Sequence, residues 1–153
     1  MSKPDRATLM NVFAGFPMRL AAASTALSGS PVAPGSPLAP GEWGPMEIVR
    51  HLIVVERAVW HVRLHDVATQ VDPHWSWFGP GPVSDDDDVD LAALLDDFAD
   101  ARAETVATIR ALDDAGWARS GTHSTFGVLD VAGLLGVAVD HDAEHLRGID
   151  PAG

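Results

Sequence analysis

The sequence predicts an all-α fold, a four-helix bundle, on three observations. Apolar residues recur at steps of three and four in four separate segments of about 20 residues each. Stretches rich in Pro, Gly, Ser or Asp divide these segments. No segment alternates apolar and polar residues as a half-buried strand would. Four amphipathic helices of that length bury their stripes most simply against one another.

The first helix is expected from about Asp5 to Ser28, with Leu9, Phe13, Phe16, Leu20 and Leu27 on its apolar face. Gly15 and Pro17 should bend it or split it, because proline lacks the N–H and clashes with the preceding turn. The loop GSPVAPGSPLAPGEW follows. The second helix should start near Gly44, with Pro45 at its first position and Glu47 at its third, where a carboxylate meets free backbone N–H groups. It continues to about Ala68. A long connection, TQVDPHWSWFGPGPVSDDDD, has room to cross the bundle, so the second and third helices can run parallel. Asp85–Asp88 lacks the alternating ligands, central Gly and final Glu of an EF-hand and reads as a solvated cap before the third helix. That helix spans about Val89 to Leu112, and the fourth runs from an Asp130 cap to near Gly148. One domain covering 1–153 accounts for the whole chain.

Composition narrows the function. There is no cysteine, which removes disulfides, thiolate nucleophiles and Cys-ligated metals together and fits a cytoplasmic protein. The formal charge is −12, from 22 acids against 10 scattered bases, which argues against nucleic acid and anionic membranes as partners. No apolar run is long enough to span a bilayer.

Two histidine pairs have the four-residue spacing that sets imidazoles one turn apart, His61/His65 and His141/His145. Spacing alone leaves both open, as metal ligands or as ordinary helix residues. His61 and His65 fall near a helix C-terminus, where the dipole alone welcomes them. His141 and His145 continue the stripe of Val131, Leu134 and Ala138, so they face the core and need partners. His51 shares a face with Ile48, Leu52 and Val55 and is the best third ligand, supplied across the core by the second helix. His61 and His65 lie about 15 and 21 Å further along that helix, too far to join His51. His74 and His123 fall in loops, where histidines are usually exposed, although the His123 loop has room to fold over one end of the bundle. Asp142 and Glu144 fall on other faces of the fourth helix and read as surface, and neither is assigned as a general base. Arg102 interrupts an apolar stripe and is expected to pair with a buried acid, Glu56 being the candidate.

Together these residues resemble the DinB/YfiT-like superfamily, in its DinB-like branch. The second helix carries W-x-x-x-E-x-x-x-H-L as Trp43, Glu47, His51 and Leu52, followed by Glu56, Trp60 and Arg63. The third carries F-x-x-x-R-x-x-T as Phe98, Arg102 and Thr105. Next come His123, Phe126 and Gly127, and then His141, Asp142, His145 and Leu146. Gly148 and Asp130 stand where the family commonly has Gln and Thr, away from the expected ligands. The resemblance implies an up-down-down-up bundle, frequent dimerisation, and a divalent metal on His51, His141 and His145, with zinc ahead of nickel, manganese or iron. It also implies a small-molecule substrate, through activation of a low-molecular-weight thiol in transferase or isomerase chemistry or of water in hydrolysis. Without cysteine, any thiol must come from a co-substrate. The alternative is a bundle that binds metal, or serves in stress, without turnover. The aromatic segment Trp75, Trp77 and Phe78 fits a pocket mouth or a dimer contact equally well.

Overall fold

The computed structural model describes residues 5–28, 43–80 and 89–149. Asp85–Asp88 and most of the Pro/Gly/Ser-rich loop after the first helix lie outside the described residues. The elements run α1 (Arg6–Ser28), α2 (Pro45–Val55), a π-helical turn (Glu56–Trp60), α3 (His61–Thr69), β1 (His74–Trp75), α4 (Leu91–Arg110), α5 (Asp114–Trp117), β2 (Ser120–His123), β3 (Gly127–Asp130) and α6 (Val131–Ile149). The chain is mostly helical: α1 packs along α4 and α6, and α2 packs along the same two helices.

Local chemistry explains most helix ends. Gly44 precedes α2 with Pro45 at its start and Glu47 in its first turn. Asp90 caps α4 by accepting a hydrogen bond from the Ala93 N–H, and Asp130 accepts one from the Gly133 N–H at 2.8 Å.

Three features differ from the sequence expectation. First, α1 is neither split nor ended by Pro17, which lies inside it. Proline leaves the carbonyl four residues earlier without its helical donor. That carbonyl belongs to Phe13, and the Arg102 guanidinium donates to it at 2.8 Å. The tertiary fold thus supplies the hydrogen bond that the proline removes.

Second, α2 and α3 are joined by a π-helical turn, in which the His61 N–H bonds to the Glu56 carbonyl. At about 100° per residue, an unbroken α-helix would carry Arg63 about 120° around the axis from His51. The extra residue of a π turn removes about 100° of that and returns Arg63 to the His51 face.

Third, there are strands. β1 pairs in parallel with β2, and β2 pairs antiparallel with β3. They are two to four residues long, too short for alternation to show in sequence. Gly127 makes the hairpin turn possible at φ 75°. Gly121 lets β2 approach β1, since a Cβ there would stand 2.4 Å from the Trp75 ring.

The core has two apolar clusters, one around Phe13, Val59 and Leu135 and the other around Phe16, Leu52 and Phe98. Arg102 touches both, with its guanidinium 3.8 Å from the Phe13 ring centroid and 5.1 Å from that of Phe98. A charged layer therefore runs through the middle of the bundle.

Candidate metal centre

α2 and α6 bring His51, His141 and His145 together. One ring nitrogen from each lies within 4.8 Å of the others, and Nε2 of His51 is 3.4 Å from Nε2 of His141. His51 is buried, while the other two are half-buried. Trp43 stacks on His145 at 5.4 Å and meets His51 edge-on at 4.9 Å. Trp60 meets His141 edge-on at 5.8 Å. Two indoles thus wall the cluster.

Burial pushes the His141 imidazole down from 6.5 to about 3, with His145 and His51 adding to the effect. It pushes His145 down to about 4, again helped by His51. Both rings are neutral at pH 7, the form in which imidazole binds metals. His141 Nδ1 is buried without a hydrogen-bond partner. Two nitrogens each about 2.0–2.1 Å from a tetrahedral zinc stand about 3.4 Å apart, the separation that His51 and His141 show. In donor type, protonation and spacing, the three residues fit a divalent cation.

The cluster opens into a cavity of about 500 Å³, lined also by Val55, Val59, Arg63, Phe78 and Phe126. Asp140 and Glu144 stand on its wall and are exposed. Glu144, expected on another face, therefore borders the site.

Asp142 corrects the expectation more strongly. It is 2% exposed and belongs to the core. Arg102 binds it through Nη1 to Oδ2 at 2.9 Å and Nη2 to Oδ1 at 3.1 Å. The expected pair with Glu56 is present as well, with Arg102 Nε 2.8 Å from Glu56 Oε1. Two carboxylates therefore share one guanidinium. Burial raises Asp142 to about 6 despite Arg102, and Glu56 pushes in the same direction. This layer is one residue from His141 in α6 and holds that helix against the π-helical turn and α4. Alternation of buried and exposed positions could not have revealed Asp142, because the apolar stripe of α6 passes through its neighbour instead.

The remaining histidines do not join the cluster. His65 and His74 are exposed, and His61 is half-buried. His123, placed among exposed loop residues by its surroundings in sequence, is 2% exposed. Its Nδ1 accepts from the N–H groups of Thr125 and Phe126, which folds the ring under the β2–β3 turn. Of the aromatic segment, Trp77 and Phe78 line the cavity, whereas Trp75 packs on the cluster around Phe13. Trp43 and Trp60 were visible as motif residues, but only packing shows them as walls of the site.

No helix among the described residues is long and apolar enough to cross a membrane. The family model described as DinB superfamily matches residues 6–149. Among solved structures, YfiT from Bacillus subtilis aligns with a TM-score of 0.72 at 18% identity, over 99% of this chain and 89% of that one. That protein is described as "a probable metal-dependent hydrolase with an unusual four-helix bundle topology". At this identity the likeness bears on the fold. No curated protein matches the chain. The family match spans nearly all of the described helices, and this chain belongs to the DinB superfamily.

Proposed function

We propose that this chain is a metal-dependent enzyme that holds one divalent cation on His51, His141 and His145 and acts on a small electrophile in the adjoining cavity. The observation that carries this reading is the convergence of three core-facing imidazoles, two of them held neutral, at the floor of a cavity. Three neutral ligands leave a bound cation its full charge and an open position, which lowers the pKa of a water toward ~7 or stabilises a thiolate from a low-molecular-weight co-substrate.

The chain's own residues do the rest. Trp43 and Trp60 fix the planes of the imidazoles and keep bulk water from their inner side. The Arg102–Glu56–Asp142 layer holds α6 in register with α2, so that His141 and His145 stay opposite His51. Glu144 is the wall carboxylate next to a ligand in sequence, and its Oε atoms take the proton released by the attacking nucleophile. Hydrolysis and thiol transfer share this arrangement and differ in what fills the open position.

The test is metal content by mass spectrometry, on protein purified without chelator or affinity histidines. About one equivalent is expected for the native chain and a small fraction of that for His51→Ala. Substoichiometric metal unchanged by His51→Ala would overturn the site. Loaded protein is then assayed with ester and amide substrates, and with thiol plus a generic electrophile. Absence of metal-dependent turnover in every assay would favour a metal-binding protein without catalysis.

A further inference from the structure

Arg63 is an unusual cation for a chain with 22 acids. It is only 7% exposed, and burial lowers the affinity of its guanidinium for a proton. Arg102, buried still more deeply, is met by two carboxylates. Among the described residues, no carboxylate pairs with Arg63. Its contacts are the Ser76 carbonyl, which accepts from Nη2 at 2.9 Å, and the Trp60 ring at 5.8 Å. A guanidinium carries five N–H donors, and a buried charge without a counter-charge is costly. The side chain lines the same cavity as the three histidines. The π-helical turn puts it there, since it turns Arg63 onto the His51 face.

A second group is unsatisfied beside it. His123 Nδ1 accepts two backbone N–H groups, so the proton of the neutral ring sits on Nε2. That Nε2 is buried and has no acceptor. Burial keeps the ring neutral, and the nearby Arg63 charge works in the same direction. Phe126, tilted against the His123 ring with centroids 4.8 Å apart, lines the cavity. His123 itself does not line the cavity, so the donor that faces the pocket without an acid is Arg63. Asp140 and Glu144 also border the cavity, but both are exposed on its rim.

We infer that Arg63 forms an anion subsite that takes a carboxylate of the substrate while the reacting group lies at the three histidines. The substrate class is then a small carboxylic acid with its electrophilic or metal-binding group at a fixed distance from the carboxylate. The inference rests on the metal reading for where the second group lies, but not for the carboxylate itself.

The probe is a series of straight-chain dicarboxylic acid monohydroxamates of increasing length, each compared with its methyl ester. Binding to the cobalt(II)-loaded protein is read from the visible absorption bands. The acid is expected to bind about tenfold or more tighter than its ester at one chain length. Arg63→Gln should abolish that preference, and Arg63→Lys should keep part of it. The acid's advantage should also shrink with added salt in the native protein, a readout that does not depend on any variant folding. Equal binding of acid and ester at every length, or a preference that survives in Arg63→Gln, overturns the subsite. If no hydroxamate perturbs the cobalt bands, the metal reading fails instead. The same pairs are then titrated into metal-free protein by tryptophan fluorescence, where an Arg63-dependent preference supports the subsite and its absence overturns it.

Discussion

Each residue of the site pairs its chemistry with a folding cost. His141 and His145 are neutral in the folded chain down to about pH 3 and 4, whereas in the unfolded chain they take up protons near 6.5. The unfolded state therefore binds more protons in this window, and stability present at neutral pH is lost as pH falls below about 6.5. The denaturation midpoint of the metal-free protein should drop between about pH 7 and 5. His141→Gln with His145→Gln should flatten that drop, and a wild-type midpoint that stays level would contradict the burial argument. Asp142 acts with the opposite sign. Its folded carboxyl holds a proton up to about pH 6 against 3.8 unfolded, so its contribution is present at low pH and lost as pH rises through 6. Asp142→Asn should therefore make the acid-side loss of stability steeper than in the native chain, as a pH series of melts would show.

At the scale of elements, the bundle relies on two devices that compensate for local irregularities. Pro17 frees the Phe13 carbonyl and Arg102 occupies it, tying α1 to α4 through the same guanidinium that binds the π-helical turn and α6. Arg102→Met leaves two buried carboxylates without a cation and should cost roughly 3–5 kcal/mol in denaturant melts. Adding Glu56→Gln and Asp142→Asn should recover much of that loss. Failure to recover would mean that the layer contributes packing rather than charge balance. The small sheet is the second device. A Cβ at Gly121 would meet the Trp75 ring at 2.4 Å and the Pro73 carbonyl at 2.7 Å. Gly121→Ala should cost about 1–3 kcal/mol by overpacking and loosen β1 from β2. Because Trp77 and Phe78 follow β1 into the cavity, faster amide exchange should spread from Trp75 to Phe78. Exchange confined to β2 would argue against this coupling.

The whole molecule is governed by its charge and by a core split around a polar layer. A net charge of −12 on 153 residues makes the compact state repel itself. Raising the salt from about 10 mM to physiological strength shortens the Debye length from about 30 Å to about 8 Å and should raise the melting temperature. An unchanged or lower value would show that the surface charges are already balanced locally. The same field makes Arg63 selective, since an anion entering past Asp140 and Glu144 is held only where a buried cation waits.

Much of this was legible in sequence. Periodicity located the four helical segments, because a helix that buries one face must repeat its apolar residues every 3.6 positions. The placement of His51, His141 and His145 on those stripes turned all three toward the core, where the packing of α2 against α6 brings them together. Proline and glycine were less decisive, since Pro17 did not end α1 and the turn at Gly127 gave no warning of strands. Asp142, His123 and Arg63 were not legible as site residues. Asp142 is paired by an arginine 40 residues away, His123 is tucked under a hairpin that the sequence did not announce, and a one-residue π insertion turns Arg63 onto the His51 face, a shift invisible to a fixed helical period. The sequence by itself determined the helices and the core-facing positions of the three imidazoles, because both depend on local periodicity. Only the tertiary structure decided which charges are compensated, because that depends on which distant side chains the packing brings within a few ångströms.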